Sequence, residues 1–154
     1  RVAVAAVDGP VTIHDAGTGE ELDSLDADPQ RTVAWSADGA SLATTSLNVA
    51  GAATTIWDAE ELTVEATLPR AADKLAFAPS SDRLALTELE QPTVLVWDWA
   101  TDEVTELGGA EDDPRAVLWA PDATAVYAVS ARDGVLAWAP DGGEPTRFDQ
   151  PAEG

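Results

Sequence analysis

Cysteine and methionine are both absent from the 154 residues, and histidine occurs once, as His14. Only 8 residues are Lys or Arg, against 29 Asp or Glu. Without cysteine there is no disulfide, no thiolate metal site and no cysteine nucleophile. A single imidazole excludes most multi-histidine metal centres. The formal net charge of −21 repels phosphate, which argues against wrapping nucleic acid or lying on an anionic membrane. No apolar run approaches the ~20 residues of a membrane-spanning helix. There is no Gly-x-Ser-x-Gly elbow, the strained turn that exposes a hydrolase serine. With no methionine and Arg1 in first position, the chain is expected to be a fragment of a longer one. Its 30 Ala and the excess of Arg over Lys suit a GC-rich genome.

What the chain does have is an apolar share of 45%, spread in short runs and sufficient for a packed core. Those runs repeat. Thr32-Val33-Ala34-Trp35-Ser36, Lys74-Leu75-Ala76-Phe77-Ala78 and Ala116-Val117-Leu118-Trp119-Ala120 place an aromatic at 35, 77 and 119, a spacing of 42 twice. Each is followed by a turn cluster (Ala37-Asp38-Gly39, Pro79-Ser80-Ser81-Asp82, Pro121-Asp122-Ala123) and a further apolar run. A second series interleaves with it: Thr12-Ile13-His14-Asp15, Thr55-Ile56-Trp57-Asp58, Leu95-Val96-Trp97-Asp98 and Leu136-Ala137-Trp138-Ala139, spaced by 43, 40 and 41.

The repeated runs are short, rich in β-branched and aromatic residues, and bounded by Gly, Pro, Asp and Asn, which is a strand pattern. A period of ~40–45 residues with room for four strands is a propeller blade. The expected fold is all-β, a propeller segment of four-stranded antiparallel blades, with strands a, b, c and d in each. Residues 1–26 supply strands b–d of a partial blade. Residues 27–68, 69–108 and 109–149 supply three full blades, and 150–154 a tail. Strand d is expected at Leu62–Leu68, Glu103–Leu107 and Pro145–Phe148. Strands a to c read as nearly all apolar because neighbouring blades cover both faces.

Trp57-Asp58 and Trp97-Asp98 resemble the signature dipeptide of WD-repeat β-propellers. The phrase from Asp8 to Glu20 resembles a bacterial strand c with its exit turn, and Trp35-Ser36-Ala37-Asp38-Gly39 resembles strand a and the a–b turn. The chain departs from the family in lacking the Gly-His pair before strand a: Ala27–Arg31, Pro69–Lys74 and Gly109–Arg115 contain no His. The Asp-His-Ser/Thr-Trp hydrogen-bond network of that family therefore cannot form as a set. Asp8-Gly9 and Asp133-Gly134 keep its b–c turn. The resemblance implies a divergent prokaryotic member with three and three-quarter blades. A ring needs more, so the apolar flanks of the outer blades call for burial. A missing part of the protein, a second copy or another protein would cover them.

Candidate site residues are few. Trp35, Trp57, Trp97, Trp119 and Trp138 fall at repeat positions and are expected in the core between blades. Trp99 breaks the pattern and is expected half-exposed, as a partner contact or packed on a turn. His14 stands where later repeats have Trp, which reads as a substituted core aromatic. Glu111-Asp112-Asp113, Asp102-Glu103 and Glu20-Glu21 read as solvated surface. Asp23, Asp26 and Asp28 lack the spacing of a calcium loop. No cofactor or metal is expected.

One end of the blades would carry the d–a and b–c loops: 27–31, 47–54, 69–74, 89–93, 108–115 and 131–134. Arg31, Arg70, Lys74, Arg115 and Arg132, five of the eight cations, fall there, which points to an acidic protein partner. The resemblance implies a non-catalytic protein-interaction scaffold, with neither nucleic acid nor membrane insertion. The alternative is the propeller part of an enzyme whose catalytic residues lie outside this segment. Strand a, which would line a channel, offers Thr32, Ala34, Ser36, Lys74, Ala76 and Ala116 and no carboxylate cluster. The composition is compatible with the cytoplasm and with an extracytoplasmic location alike.

Overall fold

The computed structural model describes residues 1–6, 9–25, 30–46, 51–80, 82–88 and 90–148, and only the backbone of 30 and 31. The described residues contain fifteen strands and no helix. They form four antiparallel sheets, each a simple meander in which sequence neighbours pair. Sheet 1 holds β1 (Val2–Ala5), β2 (Val11–His14) and β3 (Glu21–Ser24). Sheet 2 holds β4 (Gln30–Trp35), β5 (Ser41–Ser46), β6 (Ala53–Asp58) and β7 (Val64–Leu68). Sheet 3 holds β8 (Ala72–Phe77), β9 (Arg83–Glu88), β10 (Val94–Asp98) and β11 (Glu103–Leu107). Sheet 4 holds β12 (Ala116–Trp119), β13 (Val126–Ser130), β14 (Gly134–Trp138) and β15 (Thr146–Phe148). The chain is thus all-β, made of blade-like antiparallel sheets, three of four strands and one of three. The first strand of sheets 2, 3 and 4 has no counterpart in sheet 1.

Two expected strand starts move, for local reasons. The last strand of sheet 2 begins at Val64 rather than Leu62. Leu62 has φ 56° and its N–H donates to Asp58 O at 3.0 Å, while Thr63 O accepts from Asp58 N at 2.9 Å, so both residues belong to the turn. The last strand of sheet 4 begins at Thr146 rather than Pro145, because proline has no N–H for the ladder.

Spatial contacts divide the chain into two compact units, Arg1–Asp73 and Lys74–Gly154. In the first, β1 packs on β4, and Val11, Leu25, Leu42 and Trp57 form the core, flanked by Ala3, Ala5, Val33 and Trp35. Period-2 alternation explains the selection: Val11 and Ile13 of β2 are buried, whereas Thr12 and His14 between them are half-buried on the other face. Three buried threonines of this unit find partners. Thr44 accepts from Trp57 Nε1 at 2.9 Å, Thr45 accepts from Ala72 N at 2.9 Å, and Thr54 donates to Arg70 O at 2.9 Å. That satisfaction is what allows polar groups inside a sheet core.

In the second unit, β9 packs on β12. Ala85, Val94, Val96, Leu107, Val117, Val126, Ala128, Leu136 and Trp138 form one continuous core. The opposite face of sheet 4 is open, with Leu118 and Phe148 exposed, as is the face of sheet 1 that carries Val2, Val4 and Leu22. These faces belong to the first and last sheets, whose apolar flanks the sequence leaves uncovered within this chain.

The aspartate that follows the repeated aromatic has a local task. Asp58 accepts from Glu61 N at 2.7 Å and Glu60 N at 2.8 Å. Asp15 accepts from Thr18 N and Gly17 N, both at 2.8 Å. In each case the carboxylate stands in for a backbone acceptor and closes the turn between strands. The two N–H donors hold the Asp58 and Asp15 carboxyls below the usual carboxylate range. At the turn after β4 and after β12, Asp38 and Asp122 do likewise, accepting from Ala40 N and Thr124 N.

Candidate functional site

The most elaborate polar arrangement lies at the end of sheet 4 where β13 turns into β14. Asp133 occupies that turn, and its side chain is only 1% exposed. Its Oδ2 accepts from Ser130 Oγ at 2.9 Å, Glu111 N at 3.0 Å and Asp112 N at 3.2 Å. Its Oδ1 accepts from Arg147 at 2.7 Å. The Arg147 guanidinium also donates to Gly109 O and lies 3.7 Å from the Glu111 carboxylate. Burial pushes the Asp133 carboxyl up, but Arg147, the N–H groups of Glu111 and Asp112, and Ser130 together hold it below the ordinary aspartate value. One buried carboxylate thereby ties three separated segments together: the loop before β12, the β13–β14 turn and β15.

Around this anchor the predicted cations separate. Arg115 directly precedes β12, its N–H donating to Val129 O at 2.7 Å, and its side chain is exposed. Arg132, in the β13–β14 turn, is also exposed. Both lie at the Asp133 end of sheet 4, since Ala116 pairs with Val129 and Ser130 pairs with Gly134. Lys74 is half-buried within β8, and Arg70 is half-buried after β7. The side chain of Arg31 lies outside the described residues, as do Asp8, Asp26 and Asp28.

Trp99 is half-buried. Its ring meets Phe77 edge-on at 5.5 Å and Trp97 at 6.4 Å, and its backbone N–H donates to Asp82 O. It sits in the turn after β10, at the opposite end from the β13–β14 type of turn, and its apolar area is used inside the fold. Trp57, Trp97 and Trp138 are buried; Trp35 and Trp119 are half-buried at the edges of the two cores. His14 is not the core residue expected: it is half-buried on the face of sheet 1 that also carries Val2, its cross-strand partner. Gly19 O can only accept, so Nδ1 carries a hydrogen at 3.2 Å, and the Nε2 of that tautomer accepts from Thr12 Oγ1 at 2.8 Å.

The acidic run at Glu111 and Asp112 is expected to be solvated surface. Their side chains are exposed and half-buried respectively, but their backbone N–H groups are the ones Asp133 holds. Asp133 and Arg147 are the residues of this arrangement that composition and spacing do not single out as a pair. The only sequence signal was the kept Asp133-Gly134 turn.

No protein-family model matches the chain, and no curated protein matches it.

A stability test arises in sheet 2. Thr44→Val removes the acceptor of the Trp57 indole and leaves a buried N–H without a partner. The expected cost is about 1–3 kcal/mol, read as a drop in the denaturant midpoint at unchanged slope. A variant as stable as the parent would show that the indole finds another acceptor.

Proposed function

We propose that this chain is a WD-repeat-like propeller segment that works as a non-catalytic protein-interaction scaffold, and that the loop end of sheet 4 is one of its docking surfaces. The supporting observation is the clamp on Asp133. It fixes the 109–112 loop and the β13–β14 turn before any partner arrives, with Arg115 and Arg132 exposed beside them. A surface that is already ordered loses less conformational entropy on binding. Two exposed guanidinium groups on an otherwise acidic protein favour a carboxylate-bearing protein partner, through charge-assisted, bidentate hydrogen bonds.

The WD-repeat reading draws on two fragments of the family's network. Trp57 of the third strand donates to Thr44 of the second. Asp133 of the turn joins Ser130 at the end of the second strand of its own sheet. Where the family has a loop histidine, the loop here offers the backbone N–H groups of Glu111 and Asp112 to the same aspartate.

The test is affinity capture with the full-length protein, comparing the parent with an Arg115→Glu/Arg132→Glu double variant of equal thermal stability. Partners captured by the parent are expected to fall at least tenfold with the variant, with affinity declining as salt rises. An identical set of partners at identical yield would remove this surface from the function.

A further inference from the structure

The indole nitrogen of Trp35 is buried and has no hydrogen-bond partner. A buried donor left this way is destabilising unless something satisfies it. Its repeat counterpart shows what that something is. Trp119 ends β12 as Trp35 ends β4, and Trp119 Nε1 donates at 2.9 Å to the carbonyl of Ala76 on β8. β8 is the first strand of sheet 3, on which sheet 4 packs. Trp35 packs instead on sheet 1, whose order is β1-β2-β3 and which has no first strand of that type.

The register can be carried across. Asp98 pairs with Arg83, Trp97 with Leu84 and Val96 with Ala85. His14 pairs with Val2 and Ile13 with Ala3. Arg1 therefore corresponds to Arg83 and Ala3 to Ala85. The neighbourhoods agree as well. A cavity of about 430 Å³ is lined by Arg83, Trp119 and Ala123 among others, and one of about 440 Å³ by Arg1, Trp35 and Gly39.

We propose that the open edge of β1 receives an extended polypeptide strand, antiparallel to β1, and that the carbonyl of its residue opposite Ala3 accepts the Trp35 indole hydrogen. The occupant has the chemistry of β4, β8 and β12. In that chemistry a basic residue (Arg31, Lys74 or Arg115) stands three or four positions before an aromatic (Trp35, Phe77 or Trp119), with small or apolar residues between. Main-chain hydrogen bonds to an exposed strand edge supply the affinity of such an addition. The basic residue suits a chain of net charge −21. An unpaired strand edge left open is otherwise a template for aggregation. This edge is separate from the loop end of sheet 4, and either can fail without the other.

The test supplies the strand in cis. Residues 72–82, which hold β8 and the segment that precedes Arg83, are copied ahead of Arg1 in the full chain. A control graft carries proline at the copies of Lys74 and Ala76, whose N–H groups face the neighbouring strand as that of Ala78 does toward Arg83 O, which removes ladder donors. Hydrogen exchange of the Trp35 indole and of the amides of Val2–Ala5 is followed by NMR. With the graft, both are expected to slow by about tenfold or more, while the proline graft leaves them as in the parent. A Trp35→Phe substitution gives an independent readout. It is expected to leave the melting temperature of the parent unchanged or raised, because it removes an unsatisfied donor, and to lower that of the grafted chain. Unchanged exchange at β1 and the indole, or an equal loss of stability from Trp35→Phe in both chains, overturns the proposal.

Discussion

Trp138→Ala is expected to destabilise the Lys74–Gly154 unit by about 3–5 kcal/mol, the range for removing a large aromatic from a close-packed core. Trp138 is 2% exposed and belongs to the same core as Val96, Leu107, Val117 and Leu136. Its indole N–H donates at 2.8 Å to the carbonyl of Gly108, just after β11. The substitution thus opens a cavity between two sheets and frees the segment that enters the loop before β12. Trp138→Phe isolates the second effect. It keeps much of the packing and loses the hydrogen bond, and because Gly108 is exposed its carbonyl can turn to water. The expected loss is correspondingly smaller, about 1–2 kcal/mol. Denaturant unfolding followed by circular dichroism measures both. A loss below about 1 kcal/mol for the alanine variant would be incompatible with a ring filling the core.

The second large effect is expected at Asp133. Asp133→Ala leaves Arg147 without its buried counter-charge and strands the N–H groups of Glu111 and Asp112 together with Ser130. Removing one partner of a buried charge pair costs about 3–5 kcal/mol, most of it the penalty on the groups left behind. The Arg147 side chain is 38% exposed, so water screens its side of the pair and the expected value falls at the lower end.

The pH dependence has a definite sign. Burial raises the Asp133 carboxyl and the hydrogen bonds from Arg147, Glu111, Ser130 and Asp112 more than offset it, so the folded value is lowered. The folded protein therefore holds its proton less tightly than the unfolded chain does. The stabilisation is fully present above the unfolded aspartate value, near 3.9, and is lost as pH falls through the lower folded value. The difference in unfolding free energy between the parent and Asp133→Asn is expected to be constant near neutrality and to shrink below about pH 4. A difference that grows on acidification would contradict the geometry.

Much of the architecture is legible in the sequence alone. A period of about 42 residues, short β-branched runs and Gly/Pro/Asp punctuation are local properties, and strands alternate or bury their residues by rules that act over a few positions. The partial first sheet, the three sheets of four strands and the span Glu103–Leu107 followed from them. The displaced starts at Val64 and Thr146 did not, because they depend on backbone torsion at Leu62 and on which N–H groups join the ladder.

The candidate site was less legible for the same reason. Spacing could mark Arg115 and Arg132 as loop cations, but it could not show that Asp133 reaches Arg147 fourteen residues on, or Glu111 and Asp112 more than twenty residues back. Hydrogen bonds between distant segments are set by register and side-chain direction, which no single run of sequence contains. The repetition determined what kind of sheets this chain makes. Only the tertiary structure decided which polar groups those sheets satisfy, and that the indole of Trp35, placed like that of Trp119, is left with a hydrogen to give.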